Sequence, residues 1–280
     1  MAVVTTTEYG ALPAIQITAA DGSQATVSLF GAHLLSWKTG DGKERMFVST
    51  QTPLDGSKAI RGGVPVIFPQ FNVRGTGLRH GFARVSTWRL TASGGDGGQS
   101  FLEFSLNQDD LAPAHAQAWP HAFELTLRFT LHGDSLDARF TVHNSGAHAF
   151  PFGVALHTYY DVGHLAATSI SGLQHVRYTD HHQNTREQEH PALHFTEKHD
   201  RMYQSTPALT LNTANATLRL EQQGYDNWVV WNPGEDDAKA LVDLADDEYL
   251  RFVCIEPARI DQQQLDAGAT WTGSHRITAD

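Results

Sequence analysis

Apolar and polar residues alternate with period two through much of this chain. Glu124-Leu-Thr-Leu-Arg-Phe-Thr-Leu-His132 and Leu136-Asp-Ala-Arg-Phe-Thr-Val-His143 each place apolar side chains on one face and polar ones on the other, the pattern of half-buried β-strands. The Gly133-Asp134-Ser135 connection between them reads as a hairpin turn. Similar alternation predicts strands at residues 25–29, 85–90, 102–106 and 216–220. Helical periodicity is nearly absent. Residues 109–119 have room for one short helical turn, limited by Pro113 and Pro120. The Gly94-Gly-Asp-Gly-Gly98 stretch is followed by neither Lys-Ser/Thr nor the start of a helix, so it reads as a flexible hairpin loop and not as a phosphate cradle. Many short strands separated by turn residues predict an all-β fold, a large antiparallel β-sandwich, and the length suits a single domain over residues 1–280.

Two further stretches carry candidate chemistry. Taken as one strand, Phe150-Pro-Phe-Gly-Val-Ala-Leu-His-Thr-Tyr159 puts Phe150, Phe152, Val154 and Leu156 on a bulky face and Gly153, Ala155, His157 and Tyr159 on the other. The small residues leave space where a ligand could lie beside an imidazole, so His157 is expected to face a cavity. A buried structural histidine is the alternative. In Tyr249-Leu-Arg-Phe-Val-Cys-Ile-Glu256-Pro, Phe252, Cys254 and Glu256 share one face while Val253 and Ile255 share the other. Two apolar faces predict a central strand with a carboxylate at its end. There desolvation would raise the pKa of Glu256 toward the range useful for proton transfer, unless an arginine pairs with it.

Charge narrows the partners. The formal net charge is -11, which repels polyanions and argues against a nucleic-acid partner. From Arg61 to Arg84 there are nevertheless four arginines (Arg61, Arg74, Arg79 and Arg84) and no Asp or Glu. Guanidinium groups bind phosphate oxygens bidentately, so this segment suits a small anionic ligand. No apolar run is long enough to span a membrane, the N-terminus lacks the features of a secretory signal, and one cysteine, Cys254, cannot form an internal disulfide. The expected location is the cytoplasm, with no membrane partner. His181, His182, His190, His194 and His199 lie close together in sequence, but their loose spacing and the intervening Pro191 fit a solvated loop better than a metal site. Cys254 reads as a packed strand thiol.

Ala59-Ile-Arg-Gly-Gly-Val-Pro-Val-Ile-Phe-Pro-Gln70, Arg79-His-Gly-Phe-Ala-Arg84, Leu156-His-Thr-Tyr-Tyr-Asp161, Val229-Val-Trp-Asn-Pro233 and Cys254-Ile-Glu-Pro257 together resemble the hexose-6-phosphate mutarotases (glucose-6-phosphate 1-epimerases), relatives of the aldose 1-epimerases. The resemblance runs in order from Gly31-Ala-His33 to Glu256. It implies the galactose-mutarotase-like supersandwich and the interconversion of α and β anomers of a hexose 6-phosphate. His157 then corresponds to the catalytic histidine and Glu256 to the catalytic glutamate. Arg61 and Arg84 correspond to arginines that bind the substrate and its phosphate, and His80 and Asp200 to other sugar-contacting positions. Arg79, placed by the arginine segment among the substrate-binding residues, stands where many relatives carry Gln, and Gly234 stands where Trp is common. Acid–base ring opening requires no cofactor or metal, and a monomer acting on a small phosphorylated sugar is the expected working form. Two other readings remain open at this level: a non-catalytic carbohydrate-binding sandwich, and an aldose 1-epimerase acting on unphosphorylated hexose.

Overall fold

A computed structural model describes residues 2–96 and 98–280, arranged as three antiparallel sheets of four, eight and nine strands. The all-β expectation is borne out. The nine-stranded sheet runs in the order Ala192–His194, Ser169–Ser171, Leu209–Asn212, Thr217–Gln223, Thr270–Ala279, Ser135–His143, Glu124–His132, Gln99–Asn107, Arg89–Asp96. Its central hairpin, Glu124–His132 with Ser135–His143, alternates buried and partly exposed residues as the sequence pattern requires. The buried rows (Leu125, Leu127, Phe129, Leu131 and Leu136, Ala138, Phe140, Val142) enter one continuous apolar core.

Facing it is the eight-stranded sheet: Thr185–Glu187, Arg177–Asp180, His199–Tyr203, Asn227–Asn232, Phe252–Leu265, Phe150–Leu156 and Val66–Ile67, with Tyr159–Asp161 also pairing to Phe252–Leu265. Phe150, Phe152, Val154 and Leu156 point into the shared core, as do Val253 and Ile255. The two sheets also touch through the edge-on packing of Phe152 on Trp271, ring centroids 5.7 Å apart, and through the Tyr160 hydroxyl 2.8 Å from His275 Nε2. The four-stranded sheet, Val3–Tyr9, Leu12–Thr18, Gln24–Ser28 and His33–Lys38, adds Ile15, Ile17, Val27, Leu34 and Trp37 to the same core.

Several boundaries differ from the pattern reading. Residues 85–90 do not form one strand. Ala83–Val85 is a 3-10 turn and the strand begins at Arg89, because Ser86 Oγ–H donates to Phe82 O and the Trp88 indole N–H to Ala83 O, both folding the segment back. The strand from Phe150 stops at Leu156, where the Thr158 N–H turns back onto Leu156 O, and resumes at Tyr159. Tyr249 to Arg251 lie in a 3-10 turn, and the strand then runs from Phe252 through Pro257 to Leu265, so Glu256 sits within a long central strand and not at its end. The expected short helix appears as the turn Gln108–Asp110 followed by Pro113–Ala118, with Pro113 in the first helical turn where its missing N–H is harmless. A second helix, Gly234–Ala240, escaped the pattern because only Gly234 and Ala238 of it are buried, too few for an apolar stripe. The glycine stretch at residues 94–98 is mostly strand and not loop: Gly94, Gly95 and Asp96 end the strand Arg89–Asp96, paired with Phe101, Ser100 and Gln99 of the strand Gln99–Asn107, and its Gly97 lies outside the described residues.

Candidate active site

Strand register builds the site. The pairs Ala155↔Ala258 and Tyr159↔Cys254 bracket a position at which His157 stands opposite Glu256. On the far side of the same central strand, Val229 pairs with Glu256 and Trp231 with Cys254, and Asp200 in turn pairs with Trp231. Because alternate residues of neighbouring strands share a face, Tyr159, Cys254, Trp231 and Asp200 form one row and His157, Glu256, Val229 and Met202 the next. The cavity above these rows encloses about 310 Å³.

All seven residues singled out from the sequence line this cavity: Arg61, Arg79, His80, Arg84, His157, Asp200 and Glu256. Arg74 does not, since its guanidinium is committed to Asp261 at 2.5 Å. The expected open space over Gly153 is not there. A Cβ at Gly153 would lie 3.4 Å from the Phe71 backbone nitrogen, and Ala155 packs with Phe71, Met202, Val229 and Ala258 in a small apolar cluster. The segment after Pro69 therefore roofs the small residues, and the cavity begins at His157.

His157 Nε2 lies 3.3 Å from Glu256 Oε1, with side-chain exposures of 11% and 1%. Burial, reinforced by the charge of Asp200, pushes the Glu256 carboxyl well above the usual carboxylate range. Burial, reinforced by the positive charges of Arg61 and Arg84, pushes His157 well below the usual imidazole value. Each also holds a buried polar atom without a partner, His157 Nδ1 and Glu256 Oε2, and buried polar atoms left unpaired inside a cavity are positions a ligand can satisfy. The His157 ring stacks on Tyr159 with centroids 5.0 Å apart and packs edge-on against Trp231, so its orientation is fixed by two aromatic walls.

Arg61 and His80 sit on loops that only unusual backbone can form. Gly63 has φ +57° and Gly81 φ +71°, and a Cβ at either position would overlap a carbonyl oxygen, that of Leu34 at Gly63 and that of Phe68 at Gly81. Any side chain at either position would displace the loops that carry Arg61 and His80. His80 is itself left-handed, at φ 63°. Its Nδ1 accepts a hydrogen bond from the Asn72 N–H at 3.2 Å, which leaves Nε2 as the donor of the neutral ring. Burial and the charges of Arg84, Arg79 and Arg61 bring the pKa of His80 down to about 3, so it enters the site uncharged. Arg84 is lowered to about 10, chiefly by burial, and its Nε is buried without a partner.

Sequence reasoning missed four contributors. Lys58, Asn72, Trp231 and Asp243 also line the cavity. Trp231 lies within the Val229-to-Pro233 motif, while Asp243 belongs to an acidic surface segment with no distinguishing signal. The five clustered histidines do not assemble: His199 is buried in its strand, and His181, His182, His190 and His194 are exposed. Among the described residues, the set of three metal-ligating donors that gathers within 4.8 Å is His157, Cys254 and Glu256. Burial holds the Cys254 thiol protonated, which makes it a poor ligand. A larger cleft of about 410 Å³ lies between Phe195, Lys198, Pro233 and Tyr249. None of the buried unpartnered polar atoms among the described residues belongs to its lining, whereas three belong to the cavity at His157.

Residues 13–278 match the aldose 1-epimerase family model. The chain belongs to that family. Among curated aldose 1-epimerase relatives, a protein of Cenchrus ciliaris named "putative glucose-6-phosphate 1-epimerase" is 31% identical over 91% of this chain and 81% of its own length. A protein of the same name from Escherichia coli K12 is 34% identical over 86% of this chain and 81% of its own. The crystal structure of YeaD from Salmonella typhimurium, described as a "putative mutarotase", superposes with a TM-score of 0.89 at 30% identity, covering 99% of this chain and 93% of that one. A galactose mutarotase-like protein of Clostridium acetobutylicum shares the fold at a TM-score of 0.77 and 16% identity. Among the described residues no helix is long and apolar enough to cross a membrane.

Proposed function

We propose that this aldose 1-epimerase family member interconverts the α and β anomers of a hexose 6-phosphate, with His157 and Glu256 as its acid–base pair. The observation that carries the reading is the buried approach of these two side chains, 3.3 Å apart, in a cavity that also presents Arg79 and Arg84. The names borne by the Cenchrus ciliaris and Escherichia coli relatives support the same substrate class.

Burial favours the neutral form of each partner, so the resting pair holds one proton, on the carboxyl. Moving that proton from Glu256 to His157 creates a carboxylate and an imidazolium together. Glu256 then takes the proton of the C1 hydroxyl while His157 protonates the ring oxygen. The C1–ring-oxygen bond breaks, the aldehyde forms, and C1–C2 rotates. Closure on the other face of the carbonyl runs the same transfers in reverse: His157 recovers a proton from the C5 hydroxyl as that oxygen attacks C1, and Glu256 returns one to the new C1 hydroxyl. Arg84 and Arg79 hold the phosphate, so the non-reacting end stays fixed while C1 turns. His80, uncharged, donates from Nε2 to the sugar, and Trp231 and Tyr159 supply the aromatic wall.

The test is NMR exchange between the anomers of glucose 6-phosphate, with unphosphorylated glucose as the comparison. Catalysed exchange that is lost in both His157→Ala and Glu256→Gln supports the reading. A wild-type protein that binds these sugars but accelerates none of them would return the site to the non-catalytic carbohydrate-binding alternative, and equal rates on glucose would remove the phosphate assignment.

A further inference from the structure

The three arginines of the cavity are not equivalent. Arg61 donates from Nε and Nη2 to a single oxygen of Asp243, at 3.3 and 3.1 Å, and from Nη1 to the Tyr159 hydroxyl at 3.0 Å. Among the described residues, neither Arg79 nor Arg84 has a carboxylate within ion-pair distance. Arg84 spends one N–H on the Arg79 carbonyl and keeps its buried Nε unpartnered.

The Arg61–Asp243 contact is built into the fold. Asp243 sits in the loop after the helix Gly234–Ala240, and the next residue, Leu244, is buried in the cluster of Phe47, Tyr159, Phe252 and Cys254. The Glu248 carboxylate accepts from the Ala245 N–H on that loop and from Ser49 Oγ–H and the Thr50 N–H on the facing segment. Ser49 in turn donates its own N–H to Arg61 O. Both partners of the ion pair are therefore anchored through their main chains, and each side chain is only 22% exposed.

We infer that Asp243 is a specificity-determining residue: it engages Arg61 as an internal anion, leaving Arg79 and Arg84 as the guanidiniums that take the substrate's phosphate. The inference rests on the proposed hexose 6-phosphate reaction and refines it. The phosphate is the same in substrate, open-chain intermediate and product. A third free arginine would hold all three more tightly without favouring the transition state, and would slow release. An internal carboxylate limits that uniform grip. It also turns Arg61 into a positioning residue, which fixes the Tyr159 ring against which His157 stacks.

The experiment is calorimetric titration of wild type, Asp243→Asn and Asp246→Asn with glucose 6-phosphate, glucose and inorganic phosphate, with anomer exchange measured alongside. Asp246 is exposed on the same loop and absent from the cavity lining, so Asp246→Asn changes net charge equally without releasing Arg61. Asp243→Asn is expected to bind glucose 6-phosphate and inorganic phosphate about tenfold more tightly. Its affinity for glucose should stay unchanged, and Asp246→Asn should match wild type. Unchanged or weaker phosphate binding in Asp243→Asn, equal tightening in Asp246→Asn, or equal tightening toward glucose would each overturn the inference. Inorganic phosphate reads the anion site without any turnover, so the absence of wild-type anomer exchange would sink the mutarotase reading while the test of Asp243 still stands.

Discussion

His157 and Glu256 are cross-strand neighbours, opposite each other in the register set by Ala155↔Ala258 and Tyr159↔Cys254. One lies just past the end of its strand, where the backbone breaks before resuming at Tyr159, and the other lies inside a long central strand. This arrangement buries two titratable groups side by side, and burial shifts each toward its neutral form.

Removing either group should abolish turnover with little effect on binding. His157→Ala and Glu256→Gln are each expected to lower kcat for glucose 6-phosphate by about 10²- to 10⁴-fold, with KM changed far less. Anomer exchange rates over a range of substrate concentrations separate the two parameters, and a loss confined to KM would contradict the assignment.

Glu256 should cost the protein stability. Its folded pKa is raised above 4.5, chiefly by burial and then by Asp200. The folded state therefore prefers the protonated carboxyl, and this contribution to stability is present below pH 4.5 and is lost as pH rises toward the folded pKa. Glutamine cannot ionise. Thermal denaturation should find Glu256→Gln more stable than wild type at about pH 8, by about 1–2 kcal/mol, with the gap closing as the pH is lowered toward the ordinary carboxylate range. A gap independent of pH would mean that the carboxylate is not strained by its surroundings.

The arginines should rank by their surroundings. Arg84 is largely buried with a free Nε, Arg79 is exposed, and Arg74 is paired with Asp261 outside the cavity. Replacement by Gln is expected to raise KM for glucose 6-phosphate about 10- to 100-fold at Arg84, less at Arg79, and hardly at all at Arg74. The same variants assayed on glucose should show no such ranking.

Gly81 should tolerate no side chain. Its φ is +71°, and the Phe68 carbonyl oxygen occupies the place a Cβ would need. Gly81→Ala is expected to destabilise the protein by about 2–4 kcal/mol in urea denaturation. It should also raise KM, because His80 precedes it directly and the strained loop holds both.

Much of this was legible in the chain itself. Period-two alternation is local, so the strands at residues 124–132 and 136–143 and the faces of His157, Cys254 and Glu256 could be read directly. The motifs around Arg61, Arg79 to Arg84, His157 and Glu256 marked every arginine and histidine that reaches the cavity. The Gly234–Ala240 helix was not legible, since burying two small residues leaves no periodic signal. Nor was the roof over Gly153, which is main chain from a distant segment.

What the sequence determined by itself was therefore the parity of side chains within the strands at residues 124–132, 136–143, 150–156 and 252–256, the all-β architecture and the residue types available for acid–base chemistry and anion binding. Only the tertiary structure decided which of those residues meet. Strand register set His157 opposite Glu256, and loop packing gave Arg61 to Asp243 and left Arg84 free. The physical reason is range: which face a residue takes depends on its immediate neighbours along the backbone, whereas pairing, burial and the resulting pKa shifts depend on contacts between segments as far apart as Arg61 and Asp243.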